Sequence, residues 1–137
     1  MYEHILVPVD LVHVDALDKA IATAARLAQL FDASLTFVGV TAATPTPVAH
    51  NPKEFQRKLE AFAAGQADTY GIRAAGKGYT AHDPAVQIDD TLLQAVDDVG
   101  ADLIVMASHV PNVADAILPS HGGTLATHAT ISVFIVR

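Results

Sequence analysis

Short apolar runs alternate with longer amphipathic segments along this chain, and that alternation restricts its fold more than any other feature. Residues 4–9 are almost wholly apolar and too few for a stable helix, which is typical of a strand covered on both faces. The same pattern predicts strands at 34–40, 102–106 and 131–136, and a weak edge strand at 77–81. We therefore expect five strands.

The segments between these strands carry apolar residues at helical spacing. Asp15 is placed to cap a first helix, which ends near residue 31, and residues 41–48 are predicted to be loop. A second helix starts after Asn51, with Pro52 at its first position and Glu54 placed to close a capping box, and ends at Gly71.

A third helix is predicted from the sequence His82-Asp83-Pro84 to Gly100, and a fourth covers residues 120–128. A helix between two apolar strands indicates a right-handed βαβ unit with parallel pairing. The chain is therefore predicted to have an α/β fold, a doubly wound parallel sheet of five strands with helices on both faces. Its 137 residues, 51% of them hydrophobic, suit a single domain over residues 1–137.

Composition excludes several classes of function. With no cysteine, the chain has no disulfide, thiolate zinc site or cysteine nucleophile. Fifteen acidic against eight basic residues give a net charge of −7, which disfavours nucleic acid as a partner. We expect no membrane span, because the apolar runs are too short, and a cytoplasmic protein, because no secretory signal is seen.

Three stretches together resemble the universal stress protein family over the whole chain. They are Met-Tyr-Glu-His-Ile-Leu-Val-Pro-Val-Asp at 1–10, Gly-Ala-Asp-Leu-Ile-Val-Met-Ala-Ser-His at 100–109, and His-Ala at 128–129 with Val-Phe-Ile-Val-Arg at 133–137. The form Ala107-Ser-His-x-Pro111 resembles the F/G-type branch of that family. The resemblance implies a Rossmann-like sheet of the adenine nucleotide alpha hydrolase-like kind, with strand order 3-2-1-4-5.

The resemblance also implies a function: a homodimer formed through strand 131–136 that binds ATP or AMP, together with Mg²⁺, as a sensor or regulator in the stress response. A regulatory protein would be a further partner. The residues implied to bind the nucleotide lie at or after the ends of the first, second and fourth strands, or at the start of the last helix. They are Pro8, Val9, Asp10, Val40, Met106, Ala107, Ser108, His109, Pro111, Ser120, His121 and Gly122.

Two residues depart from the family pattern. Ala107 stands where glycine is usual, and Pro119 stands where the branch has a glycine just before Ser120. Proline has no N–H to offer a phosphate, so one donor of the anion site is missing. The N–H groups of residues 121–123, at the start of the last helix, are predicted to form a shifted anion site.

Other interpretations of these residues remain open. Asp10 would face the ribose or a magnesium ion, or would only order the turn after the first strand; Ser120 would bind phosphate, cap its helix, or do both. His13, His82 with Asp83, His109 and His121 fall on the same edge of the predicted sheet and suggest a metal site with Asp10. None of these histidines has the i, i+4 spacing of a zinc motif, so no metal ligand is predicted.

No catalytic residue is predicted either. Ser108 and His109 are neighbours in an extended segment and point in opposite directions, and no nucleophile with a base and an orienting group is evident. Slow ATP hydrolysis or self-phosphorylation would be the most activity expected. The alternative functions are a dimeric interaction module that binds no nucleotide, because Pro119 abolishes phosphate binding, and a metal-assisted hydrolase.

Overall fold

The five strands form one parallel sheet in a computed structural model that describes residues 1–108 and 121–137. They are β1 (His4–Pro8), β2 (Ser34–Ala42), β3 (Ala74–Ala81), β4 (Leu103–Ala107) and β5 (Ser132–Val136). All neighbours pair in parallel, and their order across the sheet is β3-β2-β1-β4-β5. The predicted fold class and strand order are confirmed.

Helices cover both faces of the sheet. They are α1 (Asp18–Phe31), α2 (Pro52–Tyr70), α3 (Pro84–Val99) and α4 (His121–His128). Side chains of α1 and α2 share one apolar core with Phe37 of β2, and those of α3 and α4 share a second core with Ile104 of β4. Within the described ranges, no helix is long and apolar enough to cross a membrane.

The structure corrects the predicted start of α1. Asp15 lies in a short 3-10 turn, Val14–Leu17, and does not cap the helix, which begins at Asp18 without a side-chain cap at Leu17. The cause lies upstream, where the Asp10 carboxylate and carbonyl accept hydrogen bonds from Val12 and His13 and hold the chain in a turn. The helix therefore starts two residues later than the capping pattern indicates.

The cap of α2 is confirmed in part. Asn51 accepts a hydrogen bond from the Glu54 N–H at 2.8 Å, as predicted, and Gly71 ends the helix with a positive φ of 64°. The second hydrogen bond of the capping box is shifted by one residue. The Glu54 carboxylate accepts from the N–H of His50, not from that of Asn51.

Two strands are longer than predicted: β2 because its end pairs with β3, and β3 because its first residues were hidden by the packing of α2. β2 continues to Ala42 and β3 begins at Ala74. A Cβ atom added to Gly76 would lie 2.7 Å from the carbonyl oxygen of Leu59 in α2, so the helix packs on bare strand backbone. The small residues this contact needs give β3 little of the apolar pattern by which strands are recognised.

A substitution of Gly76 tests this backbone contact. Gly76→Ala forces the strand away from the Leu59 carbonyl, and we expect it to lower the free energy of unfolding by about 1–3 kcal/mol. Gly65→Ala is the matched control, because Gly65 lies in α2 with open space around it, and it should raise stability by up to about 1 kcal/mol. Urea denaturation of both variants measures the difference; equal stabilities would contradict it.

A polar cluster joins the amino-terminal ends of β1, β2 and β4. The Asp102 carboxylate accepts hydrogen bonds from the N–H groups of Glu3 (2.9 Å) and His4 (3.0 Å). The His4 ring is hydrogen-bonded to the hydroxyls of Ser34 (2.8 Å) and Thr36 (2.7 Å). Burial lowers the pKa of His4, and the nearby charge of Asp102 offsets only part of that effect.

This lowered pKa predicts a pH dependence of stability. The folded state favours the neutral imidazole, so its stability is highest above the ordinary His pKa of 6.5 and falls as the pH drops through that value toward the lowered one. We expect the urea midpoint to decrease between about pH 7.5 and 5.5, and to decrease less in His4→Gln.

His82→Gln provides the control, since His82 is exposed. The urea midpoint of His82→Gln should change with pH as that of the unsubstituted protein does. If the two variants lose the same part of the pH dependence, His4 is not its source.

Candidate functional site

The carboxyl edge of the sheet has a step beside the end of β1. Pro8, the last residue of β1, pairs with Val38, whereas β2 continues to Ala42 and β3 to Ala81. β1 lies between β2 and β4, at the point where the strand order reverses. In open α/β sheets the crevice at such a point is where ligands bind, because the flanking connections leave toward opposite faces.

Asp10 is the first polar side chain to leave the core at this step. Pro8 and Val9 are buried, and the Val9 N–H donates to the carbonyl of Val38 at 2.9 Å. Asp10 is half-buried. Its Oδ1 accepts from the Val12 N–H at 3.0 Å.

His13 contacts the other oxygen of the same carboxylate. Its Nδ1 lies 2.8 Å from Oδ2 of Asp10, with 31% of the His13 side chain and 23% of the Asp10 side chain exposed. A carboxylate only accepts, so the His13 ring donates from Nδ1. His13 lies on the edge predicted from the sequence, but its contact with Asp10 was not predicted. The i, i+3 spacing of the pair was the available signal, and only the turn makes it a contact.

The chain that follows Asp10 forms the wall of a depression. Residues 11–16 line an open surface cavity of about 410 Å³. Val12 exposes about half of its surface there (52%). The lining is thus partly apolar, with Asp15 and His13 as its ionisable groups.

The end of β4, with Ser108 after it, lies on the other side of the step. Met106 is fully buried, so its backbone is what it can offer a ligand. Ala107 and Ser108 are half-buried, and the Ser108 N–H donates to the carbonyl of Val136 at 2.9 Å. Val40 of β2 is also half-buried and pairs with Tyr79 of β3, beyond the end of β1.

The remaining predicted residues belong to the segment between β4 and α4 or to the start of α4. His109, Pro111 and Ser120 lie outside the described residues. His121 and Gly122 are the first two residues of α4. The structure therefore brings together the predicted residues up to Ser108, and leaves the predicted phosphate site untested.

Among the described residues, the histidines of this edge are not grouped as metal ligands. Within residues 1–108 and 121–137, no group of three or more His, Cys, Asp or Glu side chains is arranged to hold a metal ion. His82 and Asp83 are exposed where β3 leads into α3. His13 is hydrogen-bonded to Asp10, as described above.

Comparisons with known proteins agree on one family. The model of the universal stress protein family matches residues 1–137. Among curated proteins, the chain is similar to universal stress protein G of Salmonella typhimurium, with 26% identity over 145 residues and full coverage of both chains.

Solved structures share the fold. A universal stress protein in complex with cAMP matches with a TM-score of 0.70 and 19% identity, covering 99% of this chain and 97% of that one. The universal stress protein of Archaeoglobus fulgidus in complex with dAMP matches with a TM-score of 0.69 and 17% identity, covering 99% and 98%. At these identities the likeness shows the fold alone.

Proposed function

Because the chain belongs to the universal stress protein family, we propose that it binds an adenine nucleotide, ATP or AMP, and acts as a sensor or regulator in the stress response. The curated relative is a universal stress protein G, in agreement with the resemblance to the F/G-type branch. Residues 1–137 would act as a single domain in the cytoplasm, with a regulatory protein as partner. No residue is assigned a catalytic role.

The position of Asp10 carries this proposal. A half-buried carboxylate, fixed by hydrogen bonds from Val12 and His13, lies at the carboxyl end of the central strand where the strand order reverses. A carboxylate held in this way suits the hydroxyls of a ribose, which donate to it. The related structures in complex with cAMP and dAMP support a nucleotide in this fold.

The adenine and the phosphates would lie on either side of Asp10. Val9 and Val40 would provide backbone groups on the β2 side of the step, and Ala107 and Ser108 on the β4 side. The Val9 and Ser108 N–H groups already donate within the sheet, so these two residues would provide their carbonyls. The start of α4, at His121 and Gly122, would bind the phosphates with the N–H groups of its first turn. His109, Pro111 and Ser120 would complete the site.

Magnesium would come with the phosphates of the nucleotide. Among the described residues Asp10 is the carboxylate at the step, and one carboxylate does not hold this ion by itself. Mg²⁺ is usually bound through one or two carboxylates together with phosphates and water. The donor set therefore fits an ion that is delivered as the nucleotide complex and held mainly by phosphates and water, while Asp10 binds the ribose.

Substituting Asp10 tests the nucleoside site. Asp10→Asn keeps an oxygen for the Val12 N–H but removes the charge that would accept from the ribose. We expect adenosine and ATP to lose about 1.5–3 kcal/mol of binding free energy, roughly 10- to 150-fold in affinity. Titration calorimetry with both ligands measures the loss.

Asp18→Asn is the matched control, because Asp18 is exposed at the start of α1, outside the residues that line the depression, and its substitution changes the net charge equally. It should leave both affinities close to those of the unsubstituted protein. An equal loss in the two variants would mean that the general charge, not the Asp10 contact, determines binding.

Mass spectrometry of the natively purified protein separates this function from the two alternatives. A retained adenine nucleotide supports the proposal. An empty chain, together with no ATP or adenosine binding in calorimetry, would indicate the interaction module that binds no nucleotide. A stoichiometric transition-metal ion without nucleotide would favour the hydrolase.

We further propose that the protein is a homodimer formed through β5. The Val136 carbonyl accepts from the Ser108 N–H, so alternation along β5 turns the backbone groups of Val133 and Ile135 away from β4. Phe134 exposes 44% of its surface on this edge strand. An unpaired apolar edge is a hazard for aggregation, and pairing with its copy would remove it.

Phe134→Lys tests the dimer. A lysine on the β5 edge should disfavour pairing, and the mass in light scattering should fall toward that of one chain. Val86→Lys is the control, because Val86 is 75% exposed on α3, far from β5 in the chain. An unchanged mass in Phe134→Lys, or an equal fall in Val86→Lys, would exclude this interface.

A further inference from the structure

β3 forms the other edge of the sheet, and one row of its backbone groups faces away from β2. The Arg73 carbonyl accepts from the Leu35 N–H at 2.9 Å, and Leu35 pairs with Ala74. In a parallel ladder the groups of alternate residues point to opposite sides. The backbone groups of Gly76 and Gly78 therefore point outward, to the side where a sixth strand would bind.

The side-chain amide of Gln56 occupies that side. Its Nε2 donates to the Gly76 carbonyl at 2.9 Å, and its Oε1 accepts from the Gly78 N–H at 2.6 Å. A residue of a neighbouring parallel strand makes the same two bonds. Its N–H donates to the carbonyl of one residue, and its carbonyl accepts from the N–H two residues further on. The Gln56 amide thus imitates the N–H and C=O groups of one residue of a missing strand.

Its position is fixed by the helix that carries it. Gln56 lies in α2 between Phe55, which is 5% exposed, and Leu59, which is fully buried. Its Nε2 also donates to Glu60 at 2.9 Å. Because α2 is anchored in the core and packs on the bare backbone of Gly76, the start of the Gln56 side chain is held beside the edge, and three hydrogen bonds hold its amide there.

We propose that Gln56 closes the β3 edge and prevents a second copy of this chain from associating through it. Without this amide the edge would be open at its centre, since the glycines at 76 and 78 present no side chain to obstruct a partner strand. Charge gives little protection, because Lys77 is the single charged residue of β3 and its backbone groups face β2. This role is independent of nucleotide binding.

The proposal predicts opposite results for two substitutions. Gln56→Ala opens the edge, and we expect a mass that rises reversibly with protein concentration to at least twice that of the unsubstituted protein. Gln56→Lys also removes the acceptor for Gly78 but places a cation on the edge, so its mass should stay that of the unsubstituted protein. Analytical ultracentrifugation over a concentration series measures all three proteins, with circular dichroism as the check that each is folded.

A double variant locates the new contact. Thr80 is exposed in β3, and its N–H faces outward by the same alternation, so Thr80→Pro blocks strand pairing without breaking the ladder with β2. Added to Gln56→Ala, it should restore the original mass. The proposal is wrong if Gln56→Ala does not associate, if Gln56→Lys associates equally, or if Thr80→Pro has no effect on the association.

Discussion

The parallel direction of all five strands is the constraint on which the other features of this molecule depend. It places every strand end that can carry a binding residue at one edge, and every strand start at the other. At the starts, the Asp102 carboxylate joins β4 to the N–H groups that precede and begin β1. At the ends, β1 stops before β2 and leaves the step where Asp10 lies. The two edge strands, β3 and β5, are where another chain could pair with the sheet, and both lie apart from the proposed ligand site.

How far the sequence predicts this structure depends on what each residue contacts. β1, β2 and β4 are recognisable because helices cover them on both faces, and residues such as Ile5 and Ile104 must be apolar on either side. The first residues of β3 were missed because α2 requires small residues there, which carry no strand signal. Fold class and strand order therefore follow from the sequence, whereas the length of an edge strand depends on its packing partner.

The candidate site also has a part that the sequence predicts and a part that it does not. The place of Asp10 at a strand end follows from the apolar run before it, and the structure puts it at the predicted edge. Its hydrogen bond with His13, and the displaced start of α1, depend on a turn closed by the Asp10 backbone and side chain together. A turn of this kind has no periodicity, so no pattern in the sequence revealed it.

The backbone contact between α2 and β3 also restricts how the sheet can move. A helix that rests on side chains can slide as those side chains change rotamer, but the Leu59 carbonyl stands against a strand position with no side chain. A shift of two residues toward the start of β3 would bring this carbonyl against Ala74, whose Cβ lies on the same face of the sheet as α2. The contact therefore opposes sliding of α2 along β3 in that direction.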